Sequence, residues 1–252
     1  MSKNLFTTSE PSALPPTLSL NSPLVGWGIV LIAFGIALSF QALRKGRTPP
    51  ASLDPYQPLP FTQSLQWLGY GKQLENAKNL EGAIAVYDQG LEQHPHDFRL
   101  WHERGLALAK HQRFEAAIAS YDQAYKLRPD CRDLAHERGD ALLQLGRYEE
   151  AIVSLNGFLR YAPDSSHVLS DRGFALYQLG RYAEALRSLN AAIQSAQRDP
   201  NALNYARYYR IESLRQLGQL SAALEACQEA VKQNPQFQAQ YEAVQAQILM
   251  SS

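Results

Sequence analysis

The tetrapeptide His-Glu-Arg-Gly occurs twice, at residues 102–105 and 136–139, a spacing of 34. Its side chains are those of acid–base chemistry: an imidazole that titrates near neutral pH, a carboxylate to orient it and a guanidinium to hold an anion. Such chemistry needs one convergent set of groups within hydrogen-bond reach. Metal binding is a second possibility, because His102, His136 and His167, with Asp133, fall near one another if the spacing of 34 is a structural period. No short ligand spacing supports a metal, so the expectation is three solvated histidines, no metal and no cofactor. The two cysteines, Cys131 and Cys227, stand 96 residues apart and form neither a metal-type nor a redox pair. With no nucleophile–base pair or phosphate loop in view, the sequence predicts a non-enzymatic protein.

The spacing runs well beyond the two tetrapeptides. Stepping by 34 from Gly105 and Gly139 reaches Gly71 and Gly173. Four residues before these glycines stand Trp67, Trp101, Ala135 and Leu169, and three after them Leu74, Leu108, Leu142 and Leu176. Twelve after come Ala83, Ala117, Ala151 and Ala185, then Tyr87, Tyr121, Leu155 and Leu189 four further on, with Pro95, Pro129 and Pro163 closing the units. Each unit reads as two amphipathic helices around a turn, as in "QLGRYEEA" (144–151) and "QLGRYAEA" (178–185). Gly146, Gly180 and Gly218 end the first helix, where a left-handed residue costs glycine least.

This pattern resembles the tetratricopeptide repeat, a helix–turn–helix unit of 34 residues that stacks into a solenoid because one unit cannot bury its apolar face alone. The resemblance implies an all-α fold: five repeats at 64–97, 98–131, 132–165, 166–199 and, after a four-residue shift, 204–237, with a capping helix at 238–252. The fifth repeat departs from the pattern, Arg207 and Ile211 replacing the aromatic residue and the glycine, which implies altered packing against the fourth. Copies of a motif on successive repeats lie about 10 Å or more apart and cannot converge as a catalytic triad. The two tetrapeptides therefore mark a repeat.

The resemblance also implies that the first helices line a groove for protein segments. The positions exposed there would be Arg99, His102, Asp133, His136, Asp140, Phe174, Tyr177, Tyr205, Tyr208 and Arg215, a mixture of aromatic, Arg and acidic groups suited to a protein partner. Family members that clamp a C-terminal carboxylate use cations and amides where this chain has Leu68, Lys72, Glu103, Asp133 and Glu137, of which Lys72 alone is compatible. That activity is not expected. "NYARYYRIESLRQ" (204–216) alternates Tyr and Arg as single-strand nucleic-acid binders do. Lys+Arg and Asp+Glu both total 24, however, and the neutral chain argues for protein contact and against nucleic acid.

Residues 1–23 are rich in Ser, Thr and Pro and predict a disordered tail. Residues 24–43, LVGWGIVLIAFGIALSFQAL, carry no charge and as a helix would reach about 30 Å, a bilayer's hydrocarbon thickness. Arg44, Lys45 and Arg47 follow directly and place the C-terminal side in the cytoplasm or the matching compartment of an organelle. Residues 48–63 hold five prolines and predict an extended spacer. The expectation is a single transmembrane helix before the solenoid, giving a membrane-anchored adaptor for subunits of a membrane complex. This layout is similar to that of repeat proteins that assist assembly, including some of photosynthetic membranes. The alternative is an exported, soluble periplasmic or lumenal repeat protein, formed by signal-peptide cleavage near Ala37 and Ser39.

Overall fold

In a computed structural model, residue 59 and residues 61–195 and 200–251 are described. The expected membrane span at 24–43, the tail before it and most of the spacer lie outside them. Among the described residues no helix is long and apolar enough to cross a membrane. The described chain is all-α, with eleven α-helices in antiparallel pairs: α1 (Ser64–Asn76), α2 (Leu80–Gln93), α3 (Phe98–Lys110), α4 (Phe114–Leu127), α5 (Arg132–Gln144), α6 (Tyr148–Leu159), α7 (Ser166–Gln178), α8 (Tyr182–Ser195), α9 (Pro200–Gln216), α10 (Leu220–Gln233) and α11 (Gln238–Ser251). A 3₁₀ turn, Pro235–Phe237, joins the last two.

The glycines that set the period are sites of helix-to-helix contact. A Cβ on Gly71, Gly105, Gly139 or Gly173 would stand 2.2, 2.5, 2.7 or 2.6 Å from Tyr87, Tyr121, Leu155 or Leu189, each sixteen residues on in the second helix. Those four partners are buried to within a percent or so. The missing side chain lets the two helices of a pair close until a large residue fills the gap. The fifth pair reverses these sizes. Ile211 takes the glycine position and Cys227, sixteen residues on, takes the position of Tyr or Leu; both are buried in one apolar cluster with Ala223, Val244 and Phe237. The sequence departure at Ile211 is thus a compensated exchange of volumes.

The four-residue shift has an equally simple form. First helices begin at 64, 98, 132, 166 and 200, keeping the period of 34, but α9 has 17 residues where the earlier first helices have 13. The insertion is one added helical turn, after which α10 starts four residues late.

Each first helix ends on a left-handed residue. Gly146, Gly180 and Gly218 have φ of +70 to +73°, and Lys78 and Gln112 adopt +61 and +60° at the matching places of the first two repeats. A non-glycine residue there costs about 1 kcal/mol, a strain the sequence did not announce because neither residue is a turn former. Asn79 and Asp97 cap α2 and α3, accepting from Gly82 and Arg99 backbone N–H at 3.0 Å.

First helices of successive repeats touch one another, most extensively α7 and α9, whereas second helices of successive repeats scarcely meet. The stack therefore curves with its first helices on the inner side. Val244 of α11 is fully buried, with Tyr241 and Ile248 packed beside it, while Leu249 and Met250 are exposed at the end.

Candidate functional site

The two tetrapeptides split their residues among separate tasks. Arg104 donates to Asp88 (2.5 Å) on the preceding second helix and to Ser120 (2.7 Å) on its own partner helix. Arg138 repeats this with Asp122 (2.7 Å) and Ser154 (2.6 Å). Each arginine ties three helices across a repeat junction. Glu103 pairs with Lys72 of the preceding repeat, and Glu137 accepts from His102 at 2.6 Å. No tetrapeptide assembles a catalytic set.

The tie fails once. Arg172 occupies the same place in α7, but the residue sixteen before it is Asn156, not Asp, and the buried Nε of Arg172 and Oγ of Ser188 have no hydrogen-bond partner. Burial, with the nearby charges of Arg187 and Arg181, lowers the Arg172 pKa, and Glu184 opposes this only in part. Asn156→Asp is expected to raise stability by about 1 kcal/mol, the scale of one charge-assisted hydrogen bond, measured as a shift to higher denaturant concentration in circular-dichroism unfolding. An unchanged or lower midpoint would refute the tie.

Along the inner face the first helices carry a chain of polar contacts that gives way to aromatic ones. Glu75, its side chain 4% exposed, accepts from Tyr87 (2.7 Å) and pairs with Lys110 (2.5 Å) and Lys72 (3.8 Å). The cation that could have clamped a carboxylate, Lys72, is thus engaged with Glu75 and Glu103. Burial opposes the charge of His102, but its hydrogen bond to Glu137 and the surrounding carboxylates outweigh this and raise its pKa.

His136 stacks edge-on to His167, with ring centroids 5.3 Å apart, and its pKa is lowered by burial and then by His167. The expectation of three solvated histidines holds for His167, 61% exposed, but not for His102 and His136, whose side chains are 20% and 24% exposed. The set of potential ligands that the structure assembles is His136, Asp140, His167 and Asp171, and neither His102 nor Asp133 belongs to it. That set was legible as the spacing His-x3-Asp at 136–140 and again at 167–171, which puts each pair on one helix face.

At the C-terminal end of this face Phe174 and Tyr177 of α7 meet Tyr205 and Tyr209 of α9. Ring centroids stand 4.9 Å apart for Phe174–Tyr209, 5.2 Å for Tyr177–Tyr209 and 4.9 Å for Tyr205–Tyr209. Tyr148, Tyr182 and Tyr208 extend the patch. Tyr205 and Tyr208 are 37% and 46% exposed. Tyr148 and Tyr182 thus border the patch at the start of the second helices. Arg215 pairs with Glu212 (3.1 Å) and donates to Gln247 of α11 (3.0 Å), so it braces the last helices. Arg99 folds back on Asp97 (2.7 Å) beside His94, His96 and Arg128 at the α2–α3 turn, away from the other expected groove residues. Asp133 is exposed. The two cysteines are free, and burial pushes the Cys227 thiol up to about 11.

Four overlapping matches to the tetratricopeptide repeat model cover residues 68–132, 102–158, 136–202 and 171–237, two thirds of the chain. The chain is a tetratricopeptide repeat protein. No curated protein matches it in sequence. Among solved structures this repeat protein is similar to MamA 41-end from Desulfovibrio magneticus RS-1, at 17% identity over 67% of this chain and 93% of that one, with a TM-score of 0.62. It is similar to YrrB, described as a TPR protein with an unusual peptide-binding site, at 20% identity over 69% and 88%, with a TM-score of 0.62. A repeat protein from Parabacteroides merdae matches at 15% identity over 73% of each chain, with a TM-score of 0.63. At these identities the likenesses establish the fold. The matched family is one of repeats that scaffold protein–protein contacts, and no catalytic family is matched.

Proposed function

We propose that this repeat protein is a membrane-tethered scaffold that holds a segment of a partner protein along its first helices. The observation that carries the binding half is the aromatic patch of Phe174, Tyr177, Tyr205, Tyr208 and Tyr209. It gathers rigid, amphipathic rings on the inner face and leaves two of them over a third exposed. Such rings dominate binding hot spots because they offer large contact area with few torsions to freeze. Asp171 of α7 lies near Tyr205, and Asp133, Glu137 and Asp140 continue the acidic run on α5. A segment with apolar or aromatic side chains followed by basic ones fits this order. A protein of the same fold, YrrB, is described as having an unusual peptide-binding site.

The tether rests on the uncharged residues 24–43 and the cations Arg44, Lys45 and Arg47, which put the repeats on the cytoplasmic or stromal side. The partner is then a subunit of a membrane complex whose assembly the scaffold assists. Affinity purification from detergent-solubilised membranes tests both halves. Tyr177→Ala together with Tyr208→Ala is expected to weaken capture of that subunit at least tenfold, about 1.4 kcal/mol, with helical content unchanged. Equal capture by both forms would place the binding surface elsewhere. An N-terminus beginning near residue 40 in protein isolated from cells would replace the tether by export.

A further inference from the structure

We propose that His136, Asp140, His167 and Asp171 form a binding site for one divalent transition-metal ion, of which Zn²⁺ is the representative, bridging α5 and α7. Each residue contributes one ligand atom, and the four atoms lie within 4.8 Å of one another. The donor set of two imidazoles and two carboxylates is one that Zn²⁺ takes in tetrahedral sites. The spacing within each helix already suits the ion. His136 Nε2 to Asp140 Oδ2 is 3.5 Å, and His167 Nε2 to Asp171 Oδ2 is 3.4 Å. Ligands about 2.0–2.1 Å from a tetrahedral centre stand about 3.3 Å from each other. Two edges of the tetrahedron are therefore present, and closing the rest needs side-chain movement of about 1 Å.

These distances are too long for good hydrogen bonds, which run about 2.7–3.2 Å. Accordingly, His136 Nε2 and Asp171 Oδ2 are both buried without a hydrogen-bond partner. Unsatisfied buried polar atoms are costly, and two aimed at one point on the inner face mark a place for a shared third body. Charge selects its sign. With the histidines neutral and the carboxylates ionised, the four groups carry a charge of −2, which a dication cancels.

The location supplies a use. The site joins the third and fourth repeats, the junction at which Arg172 lacks the carboxylate that its counterparts find in Asp88 and Asp122. A bound ion would link these two first helices on the inner side. It would also fix His167, beside the aromatic patch, without itself being part of that patch.

The test uses the full-length chain in detergent, stripped with a chelator and titrated with Zn²⁺ against a chromophoric competitor. One ion per chain is expected. Asp171→Asn and His167→Gln are each expected to weaken binding by roughly 100-fold or more, since losing an outer-sphere partner alone typically costs about 10–100-fold. His102→Gln, whose imidazole is held by Glu137, is expected to leave affinity within about twofold. Because Asp171 is largely buried, His167→Gln at an exposed position keeps the test readable if the Asn variant misfolds. Co²⁺ should show the intense visible ligand-field absorption of a tetrahedral site, lost in the same variants. Absence of one-to-one binding, or equal affinity in native protein and His167→Gln, would overturn the proposal, as would an equal loss in His102→Gln.

Discussion

Replacing Ile211 by Gly is expected to lower stability by about 3–5 kcal/mol, and adding Cys227→Leu to that variant is expected to restore about 2 kcal/mol of the loss. Ile211 is 1% exposed, so the first change empties a core site and puts glycine inside α9, where it costs about a further 1 kcal/mol. The second change fills the space from the opposite helix and recreates the Gly–Leu pairing of Gly139 with Leu155 and Gly173 with Leu189. Introduced alone, Cys227→Leu overpacks against Ile211 and should cost about 1–3 kcal/mol. The measurement is a double-mutant cycle from denaturant unfolding followed by circular dichroism. Additive effects of the two changes would show that the two positions do not exchange volume.

The second large effect is at the other end of the inner face. Glu75→Ala is expected to destabilise the first two repeats by about 2–4 kcal/mol, because it strands the buried Tyr87 hydroxyl and removes the carboxylate shared by Lys72 and Lys110. The pH dependence should change with it. Burial alone would raise the Glu75 pKa, but hydrogen bonds from Lys110 and Tyr87 and the charges of both lysines prevail and hold it below its ordinary value of 4.5. A carboxylate depressed in the folded state contributes stability that is complete above its unfolded pKa and is lost as pH falls through the folded one. Native protein should therefore lose stability more steeply than Glu75→Ala below about pH 4.5. Parallel acid-unfolding curves for the two proteins would contradict this.

Much of this fold was open to inspection in the sequence, because a repeat prints the same packing constraint several times. Gly71, Gly105, Gly139 and Gly173 are each forced by one close approach, so their period exposes the helix pairs directly. Contacts between side chains far apart in sequence stayed hidden. The partners of Arg104 and Arg138 lie sixteen residues before and after them, yet nothing local in the sequence distinguishes Asp88 or Ser120 from other polar residues of a solvated face. Lys78 and Gln112 accept left-handed backbone only because the flanking helices dictate it. Arg99 was placed on the groove by repeat position, but a nearer partner, Asp97, draws its side chain to the turn. The same positional reasoning grouped His136 and His167 with His102 and Asp133. It missed that each has an aspartate one helical turn onward. The uncharged stretch at 24–43 owes its reading to composition and flanking charge.

The unmatched Arg172 also bears on how the repeat array would yield under load. In a stacked array each unit leans chiefly on its neighbours, so resistance to separation is set junction by junction. Arg104 and Arg138 rivet their junctions with a carboxylate on one side and a serine on the other, whereas the seam between α6 and α7 is held by apolar packing without that rivet. A pull between the two ends of the array would part it at one of the two seams without that rivet, α6 with α7 or α8 with α9, and leave the first three repeats together. The aromatic patch joins α7 to α9 across the second of these seams, so a partner gripping it would add hold where the rivet is missing.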